Sequence, residues 1–136
     1  MKQFFASILI AFLAATGLVA AGGSAAQAAP CPYTGCFETN TNVSGSNAIK
    51  RTNAPRVRIA VLSNGNAKVR GTVKVIYRRV NGGFYRSRNV YYSGDPKVIV
   101  GPKLFRPGKY EIIARYQAQA PFKASGDSYG LLVRRR

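Results

Sequence analysis

The stretch Leu104-Phe105-Arg106-Pro107-Gly108-Lys109-Tyr110-Glu111-Ile112-Ile113-Ala114-Arg115-Tyr116 decides the fold. Pro107-Gly108 is a turn signal, and after it Tyr110, Ile112, Ala114 and Tyr116 alternate with Lys109, Glu111 and Arg115. Period two with one polar face describes a strand that is half buried in an antiparallel sheet. Working outward, Val57, Ile59 and Val61 alternate with Arg56, Arg58 and Ala60, and Val73, Val75 and Tyr77 alternate with Thr72, Lys74 and Arg78. Gly, Pro, Asn and Ser punctuate these runs, as they do in all-β domains. The expected strands are residues 37–43, 56–62, 72–80, 84–92, 97–100, 109–116 and 128–133. No helical period appears after residue 28. Short strands at this spacing pack as two facing sheets, a β-sandwich.

The same residues carry a family resemblance. Residues 104–116 resemble the corner and penultimate strand of bacterial immunoglobulin-like repeat domains, which show Leu, then Gly-x-Tyr, then alternation ending in Ala-x-Tyr. Gly71-Thr72-Val73 matches the start of that family's middle strand, and Phe122-Lys123-Ala124-Ser125 with Leu131-Leu132-Val133 looks like its final turn and strand. The resemblance covers residues 39–133. Two departures stand out: Gln117-Ala118-Gln119 replaces the usual Gly-Asp, and the domain occurs once rather than in tandem. The resemblance implies an immunoglobulin-like β-sandwich of about seven antiparallel strands. It also gives Gly108 and Tyr110 structural roles, with the Tyr110 hydroxyl bonding back across the turn. Function does not follow from fold, and the family is mostly adhesive or structural.

The N-terminus reads as an export signal. Lys2 precedes an uncharged apolar run over residues 4–21, and Ala26-Gln27-Ala28 fits a signal-peptidase site. Cleavage there leaves Ala29 first. The rivals are an uncleaved membrane anchor and a lipoprotein modified at Cys31, although Ala28-Ala29-Pro30 does not look like a lipobox. The resulting organisation is a signal peptide at 1–28, an N-terminal disulfide-bearing arm at 29–38 and an immunoglobulin-like domain at 39–136. Localisation follows as secreted, extracellular or cell-wall associated, with no membrane span after cleavage. Cys31 and Cys36 are the only two cysteines, and in an exported chain such a pair reads as a disulfide. A metal site would need more ligands, and the chain has no histidine.

Catalytic machinery is not recognisable. Gly126-Asp127-Ser128-Tyr129-Gly130 satisfies G-x-S-x-G but lacks a histidine base and a following helix, so it reads as a polar turn entering the last strand. The four acids Glu38, Asp95, Glu111 and Asp127 are scattered, which speaks against a paired-carboxylate hydrolase. The segment from Gly101 to Lys109 has the wrong spacing for a phosphate-binding loop. No cofactor is expected.

Charge is the remaining signal. Lys and Arg total 21 against 4 acidic residues, a formal net charge of +17. Such an imbalance attracts polyanions. Asn81-Gly82-Gly83 marks a hairpin, and a three-residue loop would pair Arg78 with Arg86. That register turns Tyr91, Asn89 and Ser87 inward with Val73, Val75 and Tyr77. It is preferred because a two-residue Asn81-Gly82 loop would swing Arg86 and Arg88 into the core, a heavy cost for unpaired charges. It brings Lys74, Arg78, Arg86 and Arg88 out together, with Arg79 at the loop, as an anion-binding face. The alternative is an edge hairpin charged to block sheet-to-sheet aggregation. The expected partner is an anionic polymer, meaning a cell-wall polymer, an acidic polysaccharide or extracellular nucleic acid. An acidic protein docked by an inhibitor or effector is the rival. The Arg134-Arg135-Arg136 tail either adds to binding or solvates the terminus.

Overall fold

A computed structural model describes residues 36–135. The export signal, its cleavage site and Cys31 lie outside the described residues, and with them the Cys31–Cys36 bridge.

The alternating runs become strands: β1 (Thr39–Gly45), β2 (Ala48–Lys50), β3 (Arg56–Ser63), β4 (Gly71–Arg79), β5 (Tyr85–Tyr92), β6 (Lys97–Val100), β7 (Gly108–Tyr116) and β8 (Ser125–Arg134). No helix occurs among the described residues. One sheet has the order β1-β3-β6 and the other β2-β8-β7-β4-β5. In immunoglobulin lettering these are A-B-E against A′-G-F-C-C′, an all-β sandwich of immunoglobulin type. The inward rows fill the space between the sheets. Val57, Ile59 and Val61 of β3 meet Val73, Val75 and Tyr77 of β4 and Tyr110, Ile112, Ala114 and Tyr116 of β7, all buried.

Three details differ from the expectation. The described residues form eight strands, and the extra one, β2, runs parallel to β8, pairing Ile49 with Val133. Three residues are too few to show an alternating pattern, so β2 left no sequence signal. Next, β8 starts at Ser125, which places Gly126 to Gly130 inside a strand rather than in a turn. Finally, the end of the N-terminal arm is tied to the domain. The Phe37 amide donates to Pro121 O at 2.9 Å, Lys123 N donates to Phe37 O at 3.0 Å, and the Phe37 ring packs on Phe122.

The corner before β7 forms as the sequence implies. Tyr110 is buried and its hydroxyl donates to Arg106 O at 2.8 Å. Gly108 has φ +139°, a conformation that favours glycine, and a Cβ there would lie 3.1 Å from Arg79 Nε. Arg79 is held in that corner, with Nη2 donating to Pro107 O at 2.9 Å.

Side chains close the sandwich between β1 and β8, which belong to different sheets. The hydroxyls of Thr39 and Thr41 each lie 2.7 Å from Ser125 Oγ. Asp127 accepts the Val43 amide at 2.9 Å and its own neighbour's amide, Ser128 N–H, at 2.8 Å.

Candidate anion-binding surfaces

The hairpin register is one residue away from the expected one and matches that of the disfavoured Asn81-Gly82 loop, which turns Arg86 and Arg88 inward. Arg78 pairs with Tyr85, Tyr77 with Arg86 and Val75 with Arg88. Arg79 N–H donates to Phe84 O at 3.1 Å, so the loop is four residues, Val80 to Gly83, with both Gly82 and Gly83 at positive φ. Burial drives this choice. The expected register would bury Asn89 and Ser87 and expose Val90, whereas the observed one sends Val90 and Tyr92 into the core. The Tyr92 hydroxyl then joins Val61 across the sandwich, accepting its amide at 3.0 Å.

The five predicted cations therefore do not form one face. Lys74 and Arg78 lie on the outer face of the five-stranded sheet, and Arg79 is in the β7 corner. Arg86 and Arg88 share the inward parity of Val90 yet remain exposed. They avoid burial because β5 is the outer strand of the wider sheet, where the narrower partner sheet does not fully cover it. Arg88 instead spans the gap between sheets, with Nη1 donating to Val100 O at 3.1 Å. Lys97 makes a longer contact in the same gap, 3.4 Å from Tyr91 O.

The expected Arg78–Arg86 like-charge pair does not exist. Arg78 sits opposite Glu111 of β7, with Nη2 2.6 Å from Oε2. A different like-charge pair takes its place: Lys74 lies directly opposite Arg115 on the outer face. Lys50 and Arg134 repeat the arrangement between β2 and β8. No acid among the described residues forms an ion pair with any of these four cations. Glu111 is taken by Arg78, Asp95 by Lys68 and Glu38 by Lys123. Asp127 points inward to Val43.

The outward row of β8 is Gly126, Ser128 and Gly130, so the surface beside Arg115 sinks into a shallow trough. One end is a depression of about 500 Å³ that includes Lys74, Arg115 and Gly126. The other, of about 480 Å³, includes Asn47, Lys109, Glu111, Gly130 and Leu132. Interior strand glycines of this kind suit the close approach of a ligand or another chain. Sequence reasoning singled out neither Arg115 nor this trough. The available signal was the spacing Gly126, Ser128, Gly130, which places three small residues in a row on one face of a strand.

Among solved structures, the superoxide reductase (neelaredoxin) from Ignicoccus hospitalis is similar, with TM-score 0.51 and 12% identity over 70% of this chain and 80% of that one. The CARDB domain of the PF1109 protein from Pyrococcus furiosus aligns with TM-score 0.44 and 16% identity over 71% of this chain and 88% of that one. A β-glucosidase from Listeria innocua aligns with TM-score 0.46 and 11% identity, over 71% of this chain but only 16% of the enzyme. At these identities the likeness speaks to fold alone. No family profile and no curated protein matches the sequence.

Proposed function

We propose that this chain is an exported, basic immunoglobulin-like module that binds anionic polymers along the outer face of its five-stranded sheet. The polymer is a cell-wall polymer, an acidic polysaccharide or extracellular nucleic acid. The observation that carries this reading is the Lys74–Arg115 pair. Like charges directly opposite on neighbouring strands destabilise a sheet by roughly 0.2–1 kcal/mol. No acid among the described residues forms an ion pair with either of these two cations. A polyanion in the adjacent trough would offset the repulsion, because its charges would lie beside both cations. The exposed rings of Tyr85 and Tyr91 on the same outer face add apolar contact area. The bacterial immunoglobulin-like repeat family is the finer assignment we favour, supported by the Tyr110 corner and by Gly108 in its glycine conformation. Adhesion at a cell surface fits such a module.

The test is binding to heparin and to duplex DNA as a function of salt. Replacing Lys74 and Arg115 with Gln should flatten the slope of log affinity against log salt by about two units on DNA. Replacing Arg56 and Arg58, which are exposed on the other sheet, removes equal charge as the control. Equal losses from both double variants would mean that binding follows bulk charge, and would overturn the assignment to this face.

A further inference from the structure

Where β5 overhangs the smaller sheet, a cleft of about 270 Å³ opens between β5 and the segment after β6. This lies just below the ~300–1,000 Å³ of ordinary small-molecule pockets. Its lining includes Tyr77, Arg86, Arg88, Val100 and Gly101, and no acidic residue. Tyr77 is only 1% exposed, yet its hydroxyl has no hydrogen-bond partner. A buried polar group in that condition is costly, so its persistence calls for a role. The ring is placed there by Gly101, where a Cβ would stand 2.7 Å from Tyr77 Cε1 and 2.9 Å from Cζ. Tyr129, on the same inward row beyond Ile112, has a second unpartnered buried hydroxyl.

The chemistry of the cleft is one-sided. The Arg86 side chain makes no hydrogen bond or ion pair among the described residues. Arg88 uses one nitrogen on Val100 O and keeps its other donors. Gly101 N–H is already spent on Pro55 O at 2.8 Å. Burial pushes the Tyr77 phenol up to about 12, and the nearby Arg88 charge opposes that shift without overcoming it. At neutral pH the hydroxyl therefore retains its proton and can donate. Arg86, Arg88 and a tyrosine that keeps its proton line one cleft with no acid in it, which is the donor set an oxyanion requires.

We infer that this cleft binds a small oxyanion, a carboxylate or phosphate group on a small molecule or chain end, held by Arg86, Arg88 and a hydrogen bond from the Tyr77 hydroxyl. The site is separate from the outer face and stands whether or not that face binds polymers. The Val100 bond holds one Arg88 nitrogen at the mouth of the cleft.

The experiment is an NMR titration at constant ionic strength with inorganic phosphate in one arm and glucuronate in the other. Saturable shifts at the Tyr77 ring and the Arg86 and Arg88 side chains are expected with one or both probes. The arm that saturates identifies the source, a free ion or a group carried on a sugar. Tyr77→Phe and Arg86→Gln should each weaken binding about tenfold, while the Lys74 and Arg115 double variant should bind as the parent does. Tyr77→Phe removes a hydroxyl with no partner, so the variant will fold, as its melting curve will show. Unchanged affinity in Tyr77→Phe would overturn the inference. So would shifts that fail to saturate, or that spread equally over Lys74 and Arg115.

Discussion

The two seams that join the sheets are built on opposite principles. Between β1 and β8, hydroxyls bond one another and one carboxylate accepts amides, so Thr39, Thr41, Ser125 and Asp127 all find partners. The Tyr129 hydroxyl against Gly45 is the exception. Between β5 and β6, two cations reach backbone carbonyls, Arg88 to Val100 and Lys97 to Tyr91, and the buried Tyr77 hydroxyl beside them is left without one. The first seam spends most of its hydrogen-bonding capacity on the fold. The second holds capacity in reserve, and reserve donors at a surface are what a ligand needs. A single strand pattern thus yields a structural edge on one side and a receptive one on the other.

Breaking the satisfied seam should have the largest effect. Asp127→Ala strands the part-buried Val43 amide and removes a charged acceptor, at a cost of about 2–3 kcal/mol. Urea denaturation should show this as a lower midpoint with an unchanged slope. The Tyr110 corner lies outside both seams and calibrates the comparison. Tyr110→Phe should lose about 1 kcal/mol by the same measurement.

The receptive seam should respond much less at neutral pH. Tyr77→Phe is expected to be neutral or slightly stabilising there, because it deletes an orphan hydroxyl. Its signature lies at high pH. The phenol stays protonated to about 12 when folded but titrates near 10 when unfolded. The stability it contributes is therefore fully present below pH 10 and falls between about 10 and 12, by at most about 1.4 kcal/mol per pH unit. Denaturation midpoints followed across that window should decline less in Tyr77→Phe than in the parent. The smallest change belongs to Arg88→Gln, whose exposed bond to Val100 should contribute less than about 0.5 kcal/mol.

Much of the fold was legible because alternation and corner chemistry are local. Tyr110, Ile112, Ala114 and Tyr116 announced β7, and Pro107-Gly108 announced its corner. The hairpin register was not legible. The cost of burying a charge counts against arginines on the inward side of β5 only where a partner sheet faces the whole strand. Sheet width is a tertiary property that no residue in β5 encodes, so Arg86 and Arg88 were assigned to the wrong face. Lys74–Arg115 was missed for a related reason. It pairs strands distant in sequence, β4 with β7, and no turn between them fixes the register.

The pinning of Phe37 has a consequence for orientation. Phe37 is bonded to Pro121 and Lys123, and the next residues open β1 opposite Ser63, at the end of the sandwich where β8 begins. The Tyr77 cleft, beside Gly101 and Pro55, lies toward the other end, where β1 finishes and β3 starts. Whatever precedes residue 36 thus leaves from the pole opposite the cleft. If that leading segment is fixed to any surface, the domain stands on its far end with the arginine-lined opening turned toward the surrounding medium.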